Sequence, residues 1–239
     1  MSDREAQQLL PGFFLSSDAD FAGFFTPPAL RLVSATLQRC IREREPDCIF
    51  LAGPEGSGKS HLLQAACNAA AQQQLRALYL PLSQLCAYQP AEVLENADTV
   101  DIVCLDDMEA IAGKLPWQEA IFHLYNQRFQ QEKPLYFAAR VPARALSLEL
   151  PDLASRLAAC LAFQLPALDD EQKAALLIHL AQLRGMALNE VCARYIVQHM
   201  RRGIADLVAM LEKLDHASLV AGRKLTVPFI RAVLDEPSL

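Results

Sequence analysis

Gly53-Pro54-Glu55-Gly56-Ser57-Gly58-Lys59-Ser60 fits G-x-x-x-x-G-K-[ST] at every position. The chemistry this spacing serves is anion capture. Glycines let the backbone turn tightly and aim successive N–H groups at one point, and a helix starting there adds its positive end. In such a loop Lys59 would reach the β- and γ-phosphates, the Ser60 hydroxyl would coordinate Mg²⁺, and His61 would complete the cradle. The bland alternative is a glycine-rich turn with no ligand. The flanks argue against it: Cys48-Ile49-Phe50-Leu51-Ala52 is a short apolar run suited to a buried strand, and His61 to Gln74 is rich in helix formers. A nucleoside diphosphate or triphosphate is the expected ligand.

A second candidate lies downstream. Val100-Asp101-Ile102-Val103-Cys104-Leu105-Asp106-Asp107 reads as a buried parallel strand ending in paired acids. Asp106 is placed to hold Mg²⁺, directly or through water, and Asp107 to orient an attacking water. An apolar strand ending in two acids is a weak signal alone; one helix–strand–helix unit beyond a phosphate loop it becomes strong. Arg156 in Leu150-Pro151-Asp152-Leu153-Ala154-Ser155-Arg156-Leu157 reads by default as a solvated charge.

These groups need a scaffold, and the pattern supplies one. Residues 1–20 show no helical or strand period and read as a loose arm. Its apolar stretch Gln7-Gln8-Leu9-Leu10-Pro11-Gly12-Phe13-Phe14-Leu15 either folds back on the domain or serves as a linear motif for a partner's pocket. Phe21, Phe24 and Phe25 read as core, with packing beside an adenine as the sharper alternative, and a helix starts near Pro27-Pro28 and runs to about Glu45. Strands are expected at 77–80, 135–138 and 161–164. One or two short helices broken at Pro90 should fill 83–97, and an amphipathic helix 116–131. From Leu168 the pattern is helical only. Asp169 and Gln172 form a capping box, Asn189 caps a second helix, a third covers 203–220, and Pro228 starts a last one. The expected organisation is an arm (1–20), an α/β nucleotide-binding domain with a parallel sheet (21–166) and a small all-α domain (167–239).

Composition sets the bounds. With 239 residues, 52% hydrophobic and 21% charged, the chain should bury a full core. A net charge of -6 argues against a broad, sequence-independent grip on DNA. The seven cysteines have no C-x-x-C pair and read as free thiols in a reducing cytoplasm, ahead of disulfides or metal ligands. The first residues lack a signal-peptide pattern, and no apolar run approaches the ~18 residues of a membrane span. A soluble cytoplasmic protein is the expectation.

Phosphate loop, Asp-Asp strand end, Ser-Arg box and helical lid follow one another in an order that resembles the AAA+ ATPases of the DnaA clade. Within that clade the resemblance is closest to the Hda type of DnaA regulators. It is carried by Leu150 to Leu157, Ala120-Ile121-Phe122-His123-Leu124-Tyr125-Asn126, Leu214-Asp215-His216-Ala217-Ser218 and Arg223-Lys224-Leu225-Thr226-Val227-Pro228-Phe229, and it spans the chain from about Phe21 on. Initiators continue into a DNA-binding domain, whereas this sequence stops at the lid, which favours a regulator. The resemblance implies that 53–60 is Walker A and Asp106-Asp107 Walker B. It implies that Arg156 is an arginine finger for ATP held by DnaA, and that Gln7 or Gln8 with Leu9, Leu10 and Pro11 binds the DNA polymerase III sliding clamp. The sensor-1 strand reads Phe137-Ala138-Ala139 before Arg140, and the sensor-2 position falls at Ala205, near Arg201 and Arg202. Missing both polar contacts points to ADP as a structural cofactor and to poor ATP turnover by the chain alone. The function so implied is negative regulation of replication initiation, without sequence-specific DNA or membrane binding and with a homo-oligomer left open. A helicase-loader-type AAA+ protein and a nucleoside monophosphate kinase, the latter through 53–60, are the alternatives.

Overall fold

The computed structural model describes residues 19–200 and 203–235, and the chain divides into two compact units, Met1–Pro166 and Ala167–Leu239. The proposed clamp motif at Gln7 to Pro11, and Arg201 with Arg202, lie outside the described residues.

The first unit is built on five parallel strands: β1 (Cys48–Ala52), β2 (Ala77–Pro81), β3 (Ile102–Asp106), β4 (Leu135–Ala139) and β5 (Leu161–Gln164). Their order is β2-β3-β4-β1-β5. The apolar runs that mark these strands feed both faces at once, since successive side chains point to opposite sides. Ile49, Leu51, Cys104, Tyr136 and Ala138 pack with α1 (Arg31–Glu43) and α2 (Lys59–Gln72). Phe50, Leu80, Val103, Leu105 and Phe137 pack on the other face, with residues of α3 (Leu82–Leu85), α4 (Pro90–Val93), α5 (Leu115–Gln130) and α6 (Pro151–Ala159). The expected parallel α/β core is present. In register, Ala52 lies beside Ala139, and Pro81 beside Asp106, so the strands end together at one edge.

Two buried side chains hold the connections. The Arg128 guanidinium is 0% exposed, and Nε, Nη1 and Nη2 donate to the carbonyls of Pro134, Ala97, Val100 and Asp101 at 2.6–3.1 Å. Burial pulls its pKa down to about 10, with Cys104 and Asp101 opposing. Gln118, also 0% exposed, donates from Nε2 to the Ile111 carbonyl at 3.0 Å. Its Oε1 accepts from the N–H groups of Glu149 (2.8 Å) and Leu150 (3.0 Å), immediately before α6.

The cysteine expectation needs correcting. Cys48 and Cys160 form a disulfide across 112 residues, with Cα atoms 4.9 Å apart, while Cys40, Cys67, Cys86, Cys104 and Cys192 are free thiols. Sheet register explains the pair: Ile49 sits beside Leu161, so the residues just before them are neighbours in space although spacing along the chain gives no hint of it.

The second unit is all helical: α7 (Asp170–Leu183), α8 (Glu190–His199), α9 (Ile204–Ala221) and α10 (Val227–Asp235). Asp169 and Gln172 form the expected capping box, and the Asn189 side chain accepts from the Cys192 N–H at 2.8 Å. Leu177, Ala181, Ile196, Leu211, Leu214 and Ile230 form its core. Among the described residues, no helix is long and apolar enough to cross a membrane.

Candidate functional site

β1 ends at Ala52 and delivers the chain into the glycine-rich loop at the carboxyl edge of the sheet, where open parallel sheets take their ligands. The Gly53 N–H donates to the Ala139 carbonyl at 3.1 Å, tying the start of the loop to the end of β4. A Cβ at Gly53 would meet the Leu165 carbonyl oxygen at 2.5 Å and Ser57 Oγ at 2.8 Å, so no larger residue fits. Gly58 has φ +92°, in the left-handed region that favours glycine, and its missing side chain leaves room for the Phe24 ring. Gly58 also opens α2 and offers no side chain to cap it. The first-turn N–H groups of that helix are therefore left for another acceptor.

Lys59 completes the cradle. Its amine is largely buried and donates to the Gly53 and Pro54 carbonyls at 2.7 and 2.8 Å. Burial lowers its pKa; Asp106, Glu109 and Asp107 push it back, and Arg140 adds to the lowering. These features fit a polyphosphate: a preformed turn, uncapped helix N–H groups and a cation held by neutral carbonyls that a stronger anion can replace.

Asp106 is 1% exposed at the end of β3. Its Oδ2 accepts from the Tyr79 hydroxyl at 2.7 Å and its Oδ1 from the Asp107 N–H at 2.9 Å. Burial raises its pKa, against hydrogen bonds from Ser60 and Tyr79 that favour the carboxylate. Ser60 and Asp106 are thus in contact, as a shared Mg²⁺ site requires. Asp107 follows with φ 56° and ψ 48°, and its carboxylate accepts from the Ser83 hydroxyl.

Phe24 belongs to the core, as expected, but it also stacks on His61 with ring centroids 5.1 Å apart. His61 Nε2 lies 3.1 Å from the Asp20 carbonyl, and Asn68 Nδ2 donates to the Ala19 carbonyl at 2.7 Å. The segment before α1 is thereby strapped along α2. Arg156 is exposed on α6, its guanidinium carbon 5.8 Å from the Tyr125 ring centroid. Among the described residues no carboxylate is within ion-pair distance of it. Ala138 and Ala139 are buried at the end of β4, and Ala205 is exposed on α9.

Sequence reasoning missed Tyr79, Ser83 and Gln118, and it left Arg140 without a role. The one usable signal was the position of Tyr79 and Ser83 at the end of a strand that lies beside β3.

Comparison with known proteins places this geometry. Residues 21–164 match the family model of the bacterial DnaA ATPase domain, and residues 170–234 match that of the Hda lid domain. Domain III of the replication initiation protein DnaA from Thermotoga maritima superposes with a TM-score of 0.79 at 22% identity, over 93% of this chain and 98% of that one. AMPPCP-bound DnaA from Aquifex aeolicus gives a TM-score of 0.72 at 21% identity, over 85% of this chain and 67% of that one. The RuvB Holliday junction branch migration motor of Thermotoga maritima gives 0.65 at 13% identity, over 86% and 67% respectively, a likeness of fold alone. With more than half of its length matched by the first model and its helical unit by the second, the chain belongs to the family of the bacterial DnaA ATPase domain, as a DnaA-like AAA+ protein of the Hda type.

Proposed function

We propose that this chain is a negative regulator of replication initiation that holds a nucleotide in its own loop and promotes hydrolysis of ATP held by DnaA. In this reading Gly53 to Ser60 and His61 hold ADP or ATP, and Ser60 and Asp106 hold Mg²⁺, which would neutralise phosphate charge. Asp107 is the candidate for orienting water, and Gln7, Gln8, Leu9, Leu10 and Pro11 are the candidate contact to the sliding clamp. The fit of the loop to a polyphosphate, and the AMPPCP carried by a DnaA of the same fold, support the nucleotide. The buried Ala138 and Ala139 put no polar side chain at the end of β4 to meet a third phosphate, which favours ADP and slow turnover by the chain alone.

The observation that carries the proposal is Arg156. Its guanidinium is exposed, rests on an aromatic face and has no carboxylate partner among the described residues, so it is available to a neighbour's phosphate. An arginine supplied in trans stabilises transition-state charge and is worth ~10³–10⁵ in rate in other phosphate-loop systems. The test mixes the chain with DNA-loaded clamp and ATP-bound DnaA and follows hydrolysis. Arg156→Ala should lower the stimulated rate, by up to ~10³ where stimulation is that large, while nucleotide binding by the chain itself holds. Deleting Gln7 to Pro11 should abolish dependence on the clamp. Undiminished stimulation by Arg156→Ala would remove the arginine from the mechanism.

A further inference from the structure

A second cation stands near the phosphate loop, and the function proposed above does not use it. Arg140 follows β4 directly. Its Nε is 3.0 Å from Glu109 Oε1 and its Nη1 3.6 Å from Glu55 Oε2, and its backbone N–H donates to Glu109 Oε2 at 3.2 Å. One carboxylate belongs to the loop, the other to the turn after Asp106-Asp107. The guanidinium therefore bridges the two sides of the crevice edge.

Its position along the loop matters. The Lys59 amine marks where β- and γ-phosphates are held, and it sits on the carbonyls of Gly53 and Pro54. Glu55 is the next residue. A triphosphate laid from the start of α2 toward Lys59 would extend one phosphate further than a diphosphate, toward the Pro54–Glu55 end of the loop, which Arg140 meets through Glu55. Nothing strong keeps the guanidinium on its present partners. The Arg140, Glu55 and Glu109 side chains are 59%, 79% and 30% exposed, and solvated ion pairs of this kind contribute little. A phosphate with more charge and bidentate geometry competes well for an arginine. The two glutamates, by contrast, repel it.

We propose that Arg140 is a specificity-determining residue that leaves Glu55 and Glu109 for the third phosphate of a nucleoside triphosphate, and that these carboxylates, by competing for it, set the balance between diphosphate and triphosphate. The inference rests on the nucleotide-holding reading above. It gives the buried alanines at the end of β4 a substitute one residue further on, and it makes the diphosphate preference adjustable rather than absolute.

The test measures affinity of the full chain for ADP and for AMPPCP, each with Mg²⁺, by calorimetry. Arg140→Gln should weaken AMPPCP about 10-fold or more while ADP shifts less than about 3-fold, the size expected for one hydrogen bond to a charged group. Arg140→Lys should recover part of the loss. Glu55→Gln with Glu109→Gln should move the ratio the opposite way, tightening AMPPCP, which a merely structural ion pair would not do. An unchanged AMPPCP-to-ADP ratio in Arg140→Gln, or equal weakening of both nucleotides, overturns the inference while leaving the nucleotide reading intact. An unmodified chain that binds neither nucleotide overturns both.

Discussion

Replacing Gln118 with leucine should uncouple Arg156 from the fold without touching the phosphate loop. The two side chains are similar in volume, so the change removes polar atoms and leaves little cavity. It removes one of two donors to the Ile111 carbonyl and strands the N–H groups of Glu149 and Leu150. A buried group left without its partner costs ~1–3 kcal/mol. The Ile111 carbonyl keeps its bond from the Lys114 N–H at 3.0 Å, and exposed Glu149 can turn its N–H to water, so the cost falls chiefly on the N–H of half-buried Leu150. The expected destabilisation is therefore about 1–3 kcal/mol, read as a lower denaturation midpoint at unchanged slope. Leu150 caps α6 with no side-chain hydrogen bond, so the Gln118 amide is the polar anchor of that helix start, and Arg156 sits less than two turns further on. Stimulated hydrolysis of DnaA-bound ATP should fall severalfold, while the chain's own nucleotide affinity stays within about 2-fold, as expected for independent sites. Loss of less than ~0.5 kcal/mol, the level of an ordinary surface substitution, would refute the reasoning.

Two further outcomes are expected. Asp106→Asn should stabilise the protein in chelator and without nucleotide at neutral pH, because it removes a carboxylate whose pKa burial has raised. A raised folded pKa means the charged form costs stability above that pKa and the cost vanishes as pH falls below the ordinary carboxylate range, so the gain in melting temperature should fade in acid; the same variant should lose Mg²⁺-dependent nucleotide binding. Arg128→Met should destabilise the fold by at least ~3 kcal/mol, since four carbonyls lose their donor, and a denaturation curve close to that of the unmodified chain would show that water replaces the guanidinium.

The parts of the site legible in the sequence are those encoded by neighbours. Gly53 to Ser60 carries its own geometry, and Asp106-Asp107 ends an apolar run that reads as a strand from its place one helix–strand–helix unit beyond that loop. The helix caps at Asp169 and Asn189 are likewise short-range, and they formed where the pattern put them. What escaped depends on register. Nothing near Cys48 reveals Cys160, nothing near Gln118 reveals Leu150, and Arg140 finds Glu109 only because β3 and β4 lie side by side. Arg128 escaped for another reason. An arginine is solvated by default, and its burial becomes reasonable only once the turns at 97–101 and 134 present their carbonyls to one point.

β1 is paired on both flanks, with β4 along all of Cys48–Ala52 and with β5 from Ile49 onward. A strand gripped from two sides neither slides nor stretches, so it serves as a ruler. At one tip Cys48 is bonded to the residue that ends α6; at the other the chain departs into Gly53. The end of the helix that carries Arg156 and the start of the phosphate loop are thus attached to opposite tips of the same strand. A rearrangement on nucleotide binding is expected at the two tips, where the pairing ends, before it is expected within the strand.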